Sequence, residues 1–186
     1  METEQQLISA IHRKEKDAKR RLYERFAGYA TAIAQRYVPN HDEVHDVLQD
    51  SFVKILTSID SFHYRGEGSL KAWIATIVAH QSLNYIKKHK QIIISDYLPE
   101  EPVTEEEPDV ERIPPDVLNH LIGQLPTGYR MVLNLYVFEQ LSHKEIGKLL
   151  GIKPETSASQ YSRAKNTLAR LIKDYLKTGK TLFKDR

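Results

Sequence analysis

Apolar residues recur at helical spacing along nearly the whole chain. Leu7, Ile8 and Ile11 open the pattern, and Leu22, Phe26, Tyr29, Ile33 and Tyr37 continue it at steps of three and four, so residues 7–37 are expected to be helical throughout. Pro39 and Asn40 break the run. A second helix is predicted from about Asp42 to Ser58, with Val44, Val47, Leu48, Phe52, Ile55 and Leu56 inward and Asp42, Glu43, Asp46 and Asp50 outward. Its acidic first turn suits the positive end of the helix dipole. Phe62, His63 and Tyr64 then precede an irregular loop marked by Gly66 and Gly68. A third helix should begin near Ser69, carry Leu70, Trp73, Ile74, Ile77 and Val78, and end in the basic cluster Lys87, Lys88, His89 and Lys90. From Asp116 the helical pattern resumes with Val117, Leu118, Leu121, Ile122 and Leu125, is cut by Pro126, and resumes with Tyr129, Val132, Leu133 and Tyr136. No strand-like alternation is long enough to propose a sheet, and the chain reads as all-α.

The stretch from Leu141 to Ile172 has the sharpest local signals. Ser142 can cap a helix, with Glu145 three residues on as its capping-box partner, and Ile146, Leu149 and Leu150 form an apolar stripe. Gly151 is suited to the left-handed conformation that ends a helix, Ile152 fills the corner, and Pro154 fits the first turn of a second helix. Tyr161, Ala164, Leu168, Leu171, Ile172 and Tyr175 then give that helix one apolar face. Glu155, Ser159, Gln160, Arg163 and Asn166 are expected opposite it. A helix, a tight glycine turn and a second helix with a polar front end make a helix-turn-helix, which reads duplex DNA.

Composition changes the picture at the middle of the chain. The net charge of +2 conceals balances of +3 over residues 1–90, −7 over 91–115 and +6 over 116–186. Residues 91–115 hold five of the eight prolines, so they are expected to be a flexible acidic linker, extensible to about 80 Å. Two basic ends about an acidic middle suggest polyanion binding by the ends. The absence of cysteine excludes disulfides and thiol chemistry. With no apolar run of bilayer length and no signal-peptide core, a cytoplasmic protein without membrane insertion is expected.

Three segments in order, DEVHDVLQDSFVKIL, SFHYRGEGSLKAWIATIVAHQSLNYIKK and QLPTGYRMVLNLYVFEQLSHKEIGKLLGIKPETSASQYSRAKNTL, resemble bacterial RNA polymerase sigma factors of the extracytoplasmic-function (ECF) group. The resemblance implies two small helical domains: a sigma-2-like bundle of three to four helices over 1–90 and a sigma-4-like helix-turn-helix domain over 116–186. It further implies that Asp46, Leu48, Gln49, Asp50 and Phe52 dock on core RNA polymerase. The loop with Phe62, His63, Tyr64 and Arg65 would hold a flipped base of the promoter −10 element. Gln81, Asn84, Tyr85, Lys87 and Lys88, on the helix that also carries Trp73, would contact the melted strand. Trp73 itself is read as core. Thr156, Ser159, Gln160 and Arg163 are assigned to the −35 element, with Lys153 and Lys165 on phosphates. The partners implied are core polymerase, promoter DNA and an anti-sigma factor, with no cofactor, metal, catalysis or small-molecule substrate. The chain departs from the family at Gln81, where Asn is usual, at Asn84, where Asp is usual, and at Ser157-Ala158, where Val-Lys is common.

Two rival readings remain open on the residues. His41, Asp42, His45 and Asp46 spell HDxxHD, a spacing used by metal-dependent phosphohydrolases, with His80 as a further ligand. Alternatively, the helix-turn-helix serves a dimeric transcriptional regulator.

Overall fold

The computed structural model describes residues 2–89, 110 and 113–178, which contain eight α-helices, one short 3-10 helix and no strand. They fall in two compact units, one within residues 1–90 and the other within 91–186. The expected linker lies almost entirely outside the described residues.

The first unit holds α1 (Glu4–His12), α2 (Ala18–Tyr37), α3 (His41–Ser58) and α4 (Ser69–His89), with the 3-10 turn Ile59–Ser61 after α3. Helices α2, α3 and α4 pack on one another in all three pairings, and α1 lies against α2. On α4 the buried stripe is Leu70, Ile74, Val78, Ser82 and Ile86, at unbroken steps of four. Leu22 from α2 and Ile55 from α3 are likewise fully buried. Each such aliphatic side chain contributes about 1.5–3 kcal/mol by leaving water.

One expectation fails here. Residues 7–37 are two helices, because α1 stops at His12 in a Schellman motif. Glu15 N–H donates to Ala10 O (3.0 Å), Lys14 N–H donates to Ile11 O (2.9 Å), and Lys14 is left-handed with φ 56°. Asp17, at φ 69°, turns the chain into α2. The break contains neither glycine nor proline, so nothing in the apolar pattern marks it.

The second unit holds α5 (Pro115–Gly123), α6 (Thr127–Val137), α7 (His143–Leu150) and α8 (Pro154–Thr178). Ile122, Leu125, Tyr129, Leu133 and Ala164 form one core cluster, and Ile113, Val117, Leu121 and Ile172 form a second. Ile113 and Pro115 were assigned to the linker, yet Ile113 is buried in that cluster and Pro115 starts α5. Arg130 is buried too, its Nη1 donating to Gly123 O and Leu125 O, both at 2.8 Å, so it pins the α5–α6 corner.

Candidate nucleic-acid and partner interfaces

Helix α3 begins under an Asn40 cap whose Oδ1 accepts from Asp42 and Glu43 N–H at 2.9 and 3.2 Å. Asp46, Gln49 and Asp50 are exposed, Leu48 is half-buried, and Phe52 is mostly buried under Tyr23 at a ring distance of 4.6 Å. Beside the carboxylates runs an apolar groove of about 330 Å³ lined by Tyr23, His45, Leu48, Gln49, Phe52, Val53 and Leu56. Tyr23 and Val53 are 51% and 58% exposed, and sequence reasoning missed both as surface residues of this face. Val53 carried a usable signal, an apolar residue four positions after Gln49 on an otherwise polar side.

The loop before α4 forms the second site. Phe62 packs on Trp73 at 5.1 Å, and the two rings with Ser61, His63, Arg65 and Ser69 line an open cleft of about 340 Å³. Trp73 is therefore half-exposed at a cleft wall, not a core residue. Tyr64 is the one loop residue of the expected set that does not line the cleft. Its hydroxyl donates to Glu67 Oε2 at 3.4 Å, and partial burial followed by the Glu67 carboxylate raises its pKa. From Trp73, the half-exposed or exposed residues Ile77, Gln81, the adjacent pair Asn84 and Tyr85, and Lys88 follow at helical spacing, a stripe about 22 Å long on one side of α4. Lys87 is exposed beside it. Tyr85 stacks on His89 at 4.5 Å, and partial burial, then the carboxylates of Glu43 and Asp46, push its phenol up.

The helix-turn-helix has the caps expected of it. Ser142 and Glu145 form the capping box, with Ser142 Oγ donating to Glu145 Oε2 at 2.6 Å and Ser142 N–H at 2.8 Å. Those two donors, the hydroxyl first, hold the Glu145 carboxyl below its usual range. Gly151 is left-handed at φ 73°, and Pro154 is the first residue of α8. His143 stacks on Tyr136 at 4.6 Å, its Nδ1 lies 3.0 Å from Ser157 Oγ, and Tyr136 meets Tyr161 at 4.3 Å.

On α8 the expected contact residues divide. Lys153 and Lys165 are exposed, and Ser159 and Arg163 are half-buried. Thr156 and Gln160, both assigned to the −35 element and Gln160 expected on the outward face, are instead buried, at 8% and 1% exposure. The reason is spacing: Thr156, Gln160 and Ala164 are four apart, so they share the face on which Ala164 is fully buried. Ser162, which sequence reasoning did not single out, is exposed between Ser159 and Lys165.

The HDxxHD residues do not assemble. His41, Asp42, His45, Asp46 and His80 are all exposed, and among the described residues no group of three or more His, Asp or Glu is placed to hold a metal ion. Nor is any described helix long and apolar enough to cross a membrane.

Two family profiles match the chain: Sigma-70 region 2 over residues 22–92 and Sigma-70, region 4 over residues 116–168. Together they cover about two thirds of the sequence, in the order seen in the two units. The chain belongs to the sigma-70 family. Its two regions and its relatives place this sigma factor in the ECF group, and it is a transcription initiation factor. The ECF RNA polymerase sigma-E factor of Haemophilus influenzae is 26% identical over 91% of this chain and 95% of that protein. The RNA polymerase sigma factor SigV of Bacillus subtilis is 26% identical over 71% of this chain and 77% of its own. Among solved structures, the sigma factor RpoE of Bartonella quintana, in complex with the anti-sigma factor NepR, aligns with a TM-score of 0.49 and 23% identity, over 85% of this chain and 98% of that one.

Proposed function

We propose that the sigma factor divides its work over three surfaces. The acidic edge of α3, Asp46 and Asp50, and the apolar groove beside it take a basic, amphipathic helix of core polymerase. Charge gives the encounter its orientation, and the groove buries the partner's apolar side chains. The Phe62–Trp73 cleft accepts one base of the −10 element turned out of the duplex. The α4 stripe from Gln81 to Lys88 then carries the adjoining single strand by amide contacts, stacking and phosphate pairing. Ser159, Ser162 and Arg163 of α8 face base edges of the −35 duplex, with Lys153 and Lys165 on phosphates.

The observation that carries this reading is the aromatic cleft at the head of a half-exposed helix face that ends in lysines. Such a surface suits unpaired bases, which stack on aromatic rings while their phosphates pair with lysines. The reading includes no chemistry by the protein itself, action in the cytoplasm alongside the polymerase, and an anti-sigma partner inferred from the family resemblance alone.

Run-off transcription tests it. Core polymerase should initiate at a cognate promoter only when the chain is added. The double variant Asp46→Lys/Asp50→Lys should keep its helicity yet lose core binding, since reversing both charges at an interface costs about 3 kcal/mol or more, over a hundredfold in affinity. Unchanged core binding by the double variant would remove α3 from the interface.

A further inference from the structure

A buried carboxylate far from the cleft in sequence holds the cleft's loop. Glu4, at the first position of α1, is 3% exposed although it is a glutamate. Its Oε2 accepts from Gly68 N–H at 2.9 Å and Leu70 N–H at 3.0 Å, and its Oε1 from Lys71 N–H at 3.2 Å. Leu70 and Lys71 lie in the first turn of α4, whose N–H groups have no partner within the helix. A carboxylate there is favoured by charge-assisted hydrogen bonding and by the helix dipole together. Gly68 has φ 89° and is the last loop residue before α4, so Glu4 also fixes the loop's exit.

The clamp extends to both sides. Glu67 receives the Glu4 N–H and the Tyr64 hydroxyl, both at 3.4 Å, and its other oxygen lies 3.5 Å from Arg25 on α2. Arg25 in turn donates to Glu2 O at 2.7 Å, and Arg21 pairs with Glu2 at 3.2 Å. Within the loop, Ser69 Oγ donates to Gly66 O at 2.6 Å and accepts from Arg65 N–H at 3.2 Å. Ser69 and Arg65 are both walls of the cleft. Position thus passes from Glu4 through the backbone of 68–71 to the cleft walls.

We infer that Glu4 is a positioning residue for −10 recognition: its carboxylate, bound to the Gly68, Leu70 and Lys71 amides, sets the loop that forms the base cleft before any DNA arrives. This rests on the reading of that cleft as a base site. An ordinary capping residue would be supplied by the loop itself. Here the cap comes from α1, so the geometry of the cleft depends on a helix far away in sequence, none of whose residues lines it.

The test uses Glu4→Gln, which keeps the shape but replaces one acceptor oxygen by a donor facing the amides. Hydrogen exchange on the free chain should show the Gly68, Leu70 and Lys71 amides losing protection, with the α2–α3 core unchanged. In holoenzyme reconstituted with core polymerase, affinity for single-stranded −10 oligonucleotides differing at one base is then measured. Wild type should discriminate between bases. The variant should lose about tenfold in affinity for the preferred base and little for the others, while core binding stays intact. A defect spread equally over all oligonucleotides and over core binding would mean simple destabilisation and would overturn the inference. Retained amide protection, or retained discrimination by the variant, would do the same. If wild type itself shows no base preference, the cleft is not a base site and the inference falls with that reading.

Discussion

At the scale of single residues, glycine shows how context decides what one methyl group does. Gly147 lies within α7, and a Cβ there would sit 2.7 Å from Ile152 O, a backbone atom of the turn that cannot swing aside. Gly147 O also accepts from the N–H groups of Gly151 and Ile152, at 2.9 and 3.0 Å. Gly147→Ala should therefore open the corner between α7 and α8, lowering stability by about 1–3 kcal/mol by denaturant melt and reducing −35-dependent transcription with core binding preserved. Gly28, exposed within α2, has nothing within 4 Å of the same built position. Gly28→Ala should raise stability by about 0.5–1 kcal/mol, by helix propensity alone. Equal effects at the two positions would refute the packing argument. The sequence displays Gly151 openly, because it ends an apolar stripe. It conceals Gly147, whose need for hydrogen comes from a backbone oxygen five residues further on.

At the scale of elements, the helix-turn-helix was legible because its determinants are local: a capping box, a left-handed glycine and a proline at a helix start. Two other features were not. The α1–α2 break is made by charged residues in left-handed conformations, which carry no compositional mark. On α8, one face of the first two turns is buried through Thr156, Ser157 and Gln160, so a reading that follows apolar side chains assigns that face to solvent. The Glu4 clamp was equally hidden, since it joins residues more than sixty apart. The corrected face of α8 makes a distinct prediction. Arg163→Ala should weaken transcription from promoters with a −35 element by roughly ten- to hundredfold, the cost of one base-edge contact, and leave core binding unchanged. Gln160→Ala, at a covered position, should change promoter preference far less. A larger specificity change at Gln160 than at Arg163 would show that α8 presents a different side to DNA.

At the scale of the whole molecule, a division into two basic ends about an acidic middle was visible as charge alone, and the described residues fall in two compact units, one within 1–90 and the other within 91–186. What composition could not supply is where each surface lies, because aromatic residues in the sequence do not announce whether they fill a core or line a cleft. Trp73 is the clearest example, an expected core residue that proves to be a wall. It is also the chain's single tryptophan. The protein therefore carries one native indole, within 5.1 Å of Phe62, at the place where a base would stack. Replacing it biosynthetically with azatryptophan, excited to the red of the polymerase's own indoles, would isolate that position optically in the assembled holoenzyme. Its emission should be quenched as the −10 strand arrives and be indifferent to −35 duplex. Promoter opening could then be followed in time from inside the cleft, without attaching a dye to either protein or DNA.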